Sequence, residues 1–175
     1  MVFAYLTPST RQFCLFVAAA ALVPAPTASF GAESRPAQDP LKFFEGRTES
    51  VSTIKLVTKK PYRSRTVGTG QIASDGSLHL VQRVMDDGKG PFTRIWHMRS
   101  VGPRRFAGTM SEARGPVTVD EVGGRFRFRF KMKGNVSVEQ WIAPLPGGKT
   151  ASTKVTIRKM GITVGQSEGT IRRLD

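Results

Sequence analysis

The sequence predicts an all-β fold, an antiparallel up-and-down meander of ten short strands. Apolar and polar residues alternate with a period of two along much of the chain, as they do along half-buried strands. Turn-forming residues, including Asp-Gly and Gly-Asn pairs, recur about every ten residues. Helical periodicity is not sustained anywhere after Phe44. Such a meander curls into a barrel or a sandwich.

The composition fits one soluble globular domain. The chain has 175 residues, with 27 lysines and arginines against 13 aspartates and glutamates, and a net charge of +14. The length excludes a multidomain enzyme, and the composition excludes a disordered acidic tail and a collagen-like fibre. A single cysteine excludes an intramolecular disulfide. The positive charge indicates an anionic partner or surface.

Residues 1–32 are predicted to be a signal peptide. Residues 13–23 form an apolar run that is too short to cross a membrane as a helix but typical of a signal-peptide core of about 7–15 residues. Prolines and small residues follow, and they place the cleavage site between about Ala28 and Ala32. The alternative, a buried N-terminal helix, lacks a polar face. Cys14 stands at the start of the run, whereas a lipidated cysteine would stand at its end.

The tether at residues 33–40 is polar and contains two prolines, and the barrel domain is predicted at residues 41–175. Asp39 and Pro40 begin one helical turn that ends at Phe44. Turn signals at residues 74–76, 86–90 and 102–103 then separate the first strands. The first five predicted strands are residues 50–57, 65–72, 77–85, 92–99 and 105–110.

The second half of the domain repeats this pattern. Turns are predicted at residues 123–124, at residues 134–135 and in the proline- and glycine-rich loop at residues 144–148. Gly165 and Gly169 are expected to break the last strand. The remaining predicted strands are residues 117–122, 125–133, 136–142, 152–159 and 162–172.

Residues 125–133 form the clearest strand, because aromatic and basic residues alternate strictly. Burying an apolar side chain stabilises a fold by roughly 1.5–3 kcal/mol, so the apolar set should face inward. That set is Phe126, Phe128, Phe130 and Met132. The outward set, which we call the basic stripe, is Arg125, Arg127, Arg129, Lys131 and Lys133. Acids on neighbouring strands or an external anion would offset the repulsion along this stripe.

No catalytic, metal or cofactor site is predicted. His79 and His97 lie on different strands, and a zinc site needs three or four ligands. Asp86 and Asp87 stand in a hairpin turn, where aspartate favours the backbone geometry. Nucleophile-elbow and paired Cys/His motifs are absent, and Gly68-Thr69-Gly70 lacks the third glycine of a dinucleotide loop. The sequence therefore predicts a protein that is not an enzyme.

The two tryptophans are predicted to be structural anchors. Trp96 shares a strand face with Arg94, and we expect it to pack across the barrel floor with Arg94 near it. Trp141 is expected in the core. A barrel of about eight to ten strands either holds one small ligand or fills with side chains. The candidate apolar lumen consists of Trp96, Phe126, Phe128, Phe130 and Met132.

The basic stripe does not favour nucleic acid. Sites for single strands interleave aromatic and basic residues on one surface, whereas alternation separates them here. An anionic lipid headgroup or an envelope polysaccharide fits better, at about 1 kcal/mol per cation near a charged surface. The alternative is a solvated basic face with no specific partner. A transmembrane barrel needs an apolar exterior, so the mature chain is predicted not to cross the membrane.

A series of short motifs, in order, resembles the proteobacterial domain-of-unknown-function 3833 family over roughly residues 41–172. The motifs are Phe43-Phe44-Glu45-Gly46, Gly68-Thr69-Gly70, Asp75-Gly76, Arg94-Ile95-Trp96, Phe106-Ala107-Gly108-Thr109, Gly115, Trp141 and Lys159-Met160-Gly161-Ile162-Thr163-Val164-Gly165. The resemblance implies a lipocalin-like β-barrel of the bacterial envelope and no established activity. This chain lacks the anchoring cysteine that is frequent in the family.

Together these observations predict an exported, non-enzymatic, lipocalin-like barrel that is periplasmic or secreted. Its predicted role is to hold a small apolar or lipid ligand in the lumen. The alternative is an envelope adaptor that binds anionic lipid or polysaccharide through the basic stripe.

Overall fold

The computed structural model of the protein describes residues 39–175, one helix and ten strands. The predicted signal peptide and residues 33–38 of the predicted tether lie outside the described residues. The elements are α1 (Pro40–Phe43), β1 (Gly46–Leu56), β2 (Lys59–Ile72), β3 (Leu78–Asp86), β4 (Phe92–Gly102), β5 (Arg105–Met110), β6 (Val117–Val122), β7 (Arg125–Met132), β8 (Val136–Pro144), β9 (Thr150–Lys159) and β10 (Ile162–Arg173).

The ten strands form a closed antiparallel barrel. Each strand pairs with the next one along the chain, and β10 pairs with β1 to close the sheet. The closing register sets Ser50 opposite Ile171, while the other neighbour of Ser50 is Thr66 on β2. The predicted antiparallel β-barrel is therefore confirmed, and the sandwich alternative is excluded.

The first hairpin is longer than predicted. β1 begins at Gly46 and β2 at Lys59, so only Val57 and Thr58 connect them. The Lys-Lys-Pro run at the start of β2 breaks the alternation in the sequence, but these side chains are exposed and cost the sheet little. β10 is continuous through Gly165 and Gly169, and the predicted break is only an irregular register between Thr163 and Gly165.

The short helix α1 covers one end of the barrel, which we call the helix end. The Asp39 side chain accepts a hydrogen bond from the Leu41 amide at 2.9 Å, and Pro40 occupies the first turn, as predicted. Leu41, Phe43 and Phe44 are buried. They join an apolar cluster whose strand members at this end include Leu78, Met98, Ile142 and Ile171.

The opposite end of the barrel, which we call the far end, carries five hairpin turns. These turns join β1–β2, β3–β4, β5–β6, β7–β8 and β9–β10. Within residues 39–175, the single short helix is neither long nor apolar enough to cross a bilayer.

Candidate functional site

A cavity of about 360 Å³ lies inside the barrel. All ten strands contribute side chains to it, and Pro40, Leu41 and Phe44 form its floor at the helix end. Because inward residues alternate along each strand, the cavity wall is built almost entirely from alternate positions. The volume lies at the lower end of the range for small-ligand pockets. The lumen is therefore not filled by its own side chains.

Trp96 is the centre of an apolar wall. Its ring packs edge-to-face against Phe128 and Phe130, with centroid distances of 6.3 and 5.9 Å. The indole Nε1 donates a hydrogen bond to Gln82 Oε1 at 2.8 Å, so its polar atom is satisfied inside the barrel. Other apolar residues that line the cavity include Met132, Val138, Val155 and Ile157.

A second wall carries hydroxyl groups and lies on the three contiguous strands β10, β1 and β2. Its members, which we call the hydroxyl wall, are Thr48, Ser50, Ser52, Ser64, Thr66 and Ser167. The register sets Ser50 opposite Thr66 and Ser52 opposite Ser64, so these side chains adjoin across the two strands. The cavity thus offers hydrogen-bonding groups along one side and an apolar surface on the strands β4 and β7.

Sequence reasoning missed the hydroxyl wall. Small polar residues are usually assigned to the solvated face of a strand, and the apolar Val51 between Ser50 and Ser52 suggests the opposite orientation. The regular alternation of inward and outward positions along β1 could have revealed the hydroxyl wall. The inward positions of β1 continue through Ile54 and Leu56, which share the parity of the two serines.

Two ion pairs lie at the far end of the cavity. Arg94 lines the cavity and pairs with Glu112 at 2.9 Å. Lys89 Nζ donates to Asp86 Oδ2 at 2.8 Å and to the Tyr62 hydroxyl at 3.3 Å. Tyr62, Arg94 and Asp86 are only half-buried, so this end of the cavity is accessible to water.

The Asp86–Lys89 pair stays ionised at neutral pH. Burial raises the pKa of Asp86, but hydrogen bonds from Lys89 and Ser64 outweigh it and hold this pKa below its ordinary value. The hydrogen bond to Asp86 in turn raises the pKa of Lys89. The far end of the cavity therefore holds fixed charges of both signs.

Four of the five predicted lumen residues come together around the cavity, namely Trp96, Phe128, Phe130 and Met132. Phe126 also points inward, but it is 2% exposed within the core cluster and does not line the cavity. Arg94 shares the inward face of Trp96 as predicted. Its guanidinium lies over the ring of Phe92 at 5.5 Å and not over Trp96.

The basic stripe lies on the outer face of β7. Asp120 on β6 forms ion pairs with Arg127 at 3.6 Å and with Arg129 at 2.7 Å. The carboxylate of Asp120 thus offsets part of the repulsion between the cations of the basic stripe. Within residues 39–175, no carboxylate pairs with Lys131 or Lys133.

The prediction that Trp141 packs in the core is wrong. On β8 the inward positions are Val138, Gln140 and Ile142, so Trp141 points outward. The guanidinium groups of Arg125 and Arg127 lie 5.0 and 5.6 Å from its ring. Trp141 is therefore a platform for two cations of the basic stripe.

His79 and His97 face each other across β3 and β4 on the outer surface. Their rings stack with a centroid distance of 4.5 Å, and both residues are exposed. The described part of the chain contains no group of three or more His, Cys, Asp or Glu side chains that could hold a metal ion.

Comparison of the sequence with protein-family models and with curated proteins yields no match. Solved structures do share the fold. The chain resembles the S-type phycobiliprotein lyase CPES from Guillardia theta with a TM-score of 0.62 and 10% identity, covering 77% of this chain and 90% of the lyase. A DUF3598-family protein of unknown function from Nostoc punctiforme gives a TM-score of 0.55 and 14% identity, with 80% of this chain matching 51% of that one. Rv2717c from M. tuberculosis gives a TM-score of 0.50 and 13% identity, with 81% of this chain matching 99% of that one.

At these low identities, the structural similarity shows a shared fold and nothing more. It also corrects the prediction that the protein is not an enzyme, because one protein with a similar barrel is a lyase. The prediction depended on the absence of linear catalytic motifs. Groups brought together inside a barrel come from several strands and need not form such a motif.

Proposed function

We propose that the protein binds one small amphipathic molecule inside the barrel. The main support is the cavity itself, which has the apolar wall around Trp96 on one side and the hydroxyl wall on the other. An apolar body would pack against Trp96, Phe128 and Phe130. A row of polar atoms along one edge of the molecule would exchange hydrogen bonds with Ser50 and Ser52.

The ligand class follows from volume and polarity. A cavity of about 360 Å³ accommodates a small molecule rather than a complete membrane lipid. A purely apolar ligand would shield lining hydroxyls such as those of Ser50 and Ser52 from water without replacing their hydrogen bonds, which is unfavourable. We therefore infer a fatty-acid-like or ring-containing molecule that also carries polar groups.

We further propose that this binding takes place in the bacterial envelope. The support is the predicted export signal in residues 1–32, together with the resemblance to the domain-of-unknown-function 3833 family. Membership of that family stays a prediction.

The basic stripe supports the alternative, an adaptor for anionic lipid or polysaccharide, less well than the cavity supports ligand binding. Asp120 and Trp141 already engage Arg125, Arg127 and Arg129. Fewer free cations remain on this face for an external anion than the sequence suggests.

Replacing Ser52 with phenylalanine should abolish binding by filling the cavity. Ser52 lines the lumen, whereas the next residue, Thr53, is exposed on the outer face of the same strand. With anilinonaphthalene sulfonate as the probe, we expect Ser52→Phe to weaken binding by at least about tenfold, measured by fluorescence titration. Thr53→Phe is the matched control and should bind like the parent. Equal binding by both variants, with unchanged melting temperatures, would refute the lumen as the site.

A further inference from the structure

Three large apolar side chains project from the far end of the barrel. Val57, Met160 and Ile162 are 77%, 78% and 71% exposed. The next most exposed large apolar residue in the described part of the chain, Val101, reaches only 49%. Isolated exposed apolar residues are common, but a group at this level of exposure indicates an interaction site.

The three residues belong to two adjacent turns. Val57 lies in the β1–β2 turn, and its amide donates to the Val164 carbonyl at 3.1 Å. Met160 lies in the β9–β10 turn, which Ile162 follows directly. Because β1 and β10 pair with each other, both turns stand side by side. We call Val57, Met160 and Ile162 the apolar tips.

Local stability does not account for the methionine. Met160 has a φ of 50° and Gly161 a φ of 83°, the combination of a two-residue hairpin turn that favours Asn-Gly. A methionine is unfavourable in the left-handed region, and this one gains no burial in return. The side chain is therefore available to contact something outside the barrel.

The two turns that carry the apolar tips are rich in positive charge, and the β3–β4 turn on the other side of β2 carries Asp86 and Asp87 beside Lys89. Residues 55–60 and 158–163 contain no aspartate or glutamate. The β7–β8 turn adjoins them, since the Met160 amide donates to the Asn135 carbonyl at 3.3 Å. The cations of these three segments are Lys55, Lys59, Lys60, Lys133, Arg158 and Lys159.

We propose that the apolar tips and these cations dock the far end of the barrel onto an anionic lipid bilayer. The tips would enter the interfacial region while the lysines and arginines face anionic headgroups. Charge complementarity favours a lipid surface, and separate protruding tips suit insertion between lipids better than they suit a contiguous protein interface. Docking does not depend on a ligand in the lumen. It would set the far end of the cavity, lined there by Leu56 and Ile157, against the membrane.

Co-sedimentation of the full chain with vesicles tests this proposal. The vesicles are an equimolar mixture of phosphatidylcholine and phosphatidylglycerol, with pure phosphatidylcholine as the comparison. We expect the parent to prefer the anionic vesicles at low salt. The variant Val57→Ser/Met160→Asn/Ile162→Thr should bind at least about tenfold more weakly. Lys59→Gln/Lys60→Gln should lose about fivefold per lysine.

Two controls keep the outcome interpretable. Arg105→Gln/Lys149→Gln removes two exposed cations from the helix end and should bind like the parent, and residues 1–38 are identical in every variant. Met160→Asn alone suits the left-handed turn, so it should weaken binding without lowering the melting temperature. Equal sedimentation of the parent with both vesicle types would overturn the proposal. So would dependence on the lysines but not on the apolar tips. Neither result would affect ligand binding measured without vesicles.

Discussion

Replacing Trp96 with alanine is expected to lower the free energy of unfolding by about 3–5 kcal/mol. Trp96 is 7% exposed, packs against Phe128 and Phe130, and donates to Gln82. The substitution enlarges the existing cavity and leaves the side-chain oxygen Oε1 of Gln82 without its hydrogen-bond donor. Since small domains have total stabilities of about 5–15 kcal/mol, urea unfolding should show a large decrease in the midpoint.

The second tryptophan supplies the control. Trp141 lies on the outer face, where its main partners are the guanidinium groups of Arg125 and Arg127. Contacts of this kind near the protein surface contribute about 0.5–1 kcal/mol each. Trp141→Ala should therefore cost much less stability than Trp96→Ala. Equal losses would contradict the assignment of the two tryptophans to opposite faces of the barrel.

Gly70→Ala is expected to displace α1 and to destabilise the protein by about 3 kcal/mol. A Cβ atom at this position would overlap the carbonyl oxygen of Phe44, a backbone atom that cannot move without the helix. Because α1 forms the floor of the cavity and carries Leu41 into the core, its displacement opens the helix end. Thermal unfolding and the amide NMR resonances of residues 41–44 would record both effects.

Gly68→Ala is the matched control on the same strand. A Cβ there would approach side-chain atoms of Thr48, Leu80 and Gln82, which can shift by rotation. We expect a loss of stability smaller than that of Gly70→Ala. If the two variants melt alike, tight packing between α1 and β2 is not what closes this end of the barrel.

The strands could be predicted because their signals are local. Alternation along β7 and the turn at Gly123-Gly124 specify an element within a dozen residues, and the structure has both. The choice between barrel and sandwich is not local. It depends on the pairing of β1 with β10, which joins Thr48 to Arg173 across nearly the whole domain. No periodicity within either strand specifies that contact.

The candidate site could be predicted only on its apolar side. The alternating aromatics of β7 and Trp96 pointed to the lumen, and four of the five predicted residues line it. Phe126 does not line the cavity, because its position along the strand places it in the packed core. Alternation predicts that a side chain points inward, but it does not predict how far along the barrel axis that side chain lies. The hydroxyl wall and the outward Trp141 escaped for a shared reason. The polarity of a residue predicts a buried or an exposed environment, whereas the alternation along the strand decides which way its side chain points.

The fluorescence of Trp96 on ligand addition reports directly whether a ligand enters the barrel. The sequence has two tryptophans, so Trp141→Phe leaves Trp96 in the lumen as the only one, and Trp96→Phe leaves only Trp141 outside. A bromine-labelled medium-chain fatty acid quenches tryptophan only at close approach. We predict saturable quenching with one ligand per chain in Trp141→Phe and little quenching in Trp96→Phe. Absent quenching of Trp96, or equal quenching of both tryptophans, would contradict a ligand site inside the barrel.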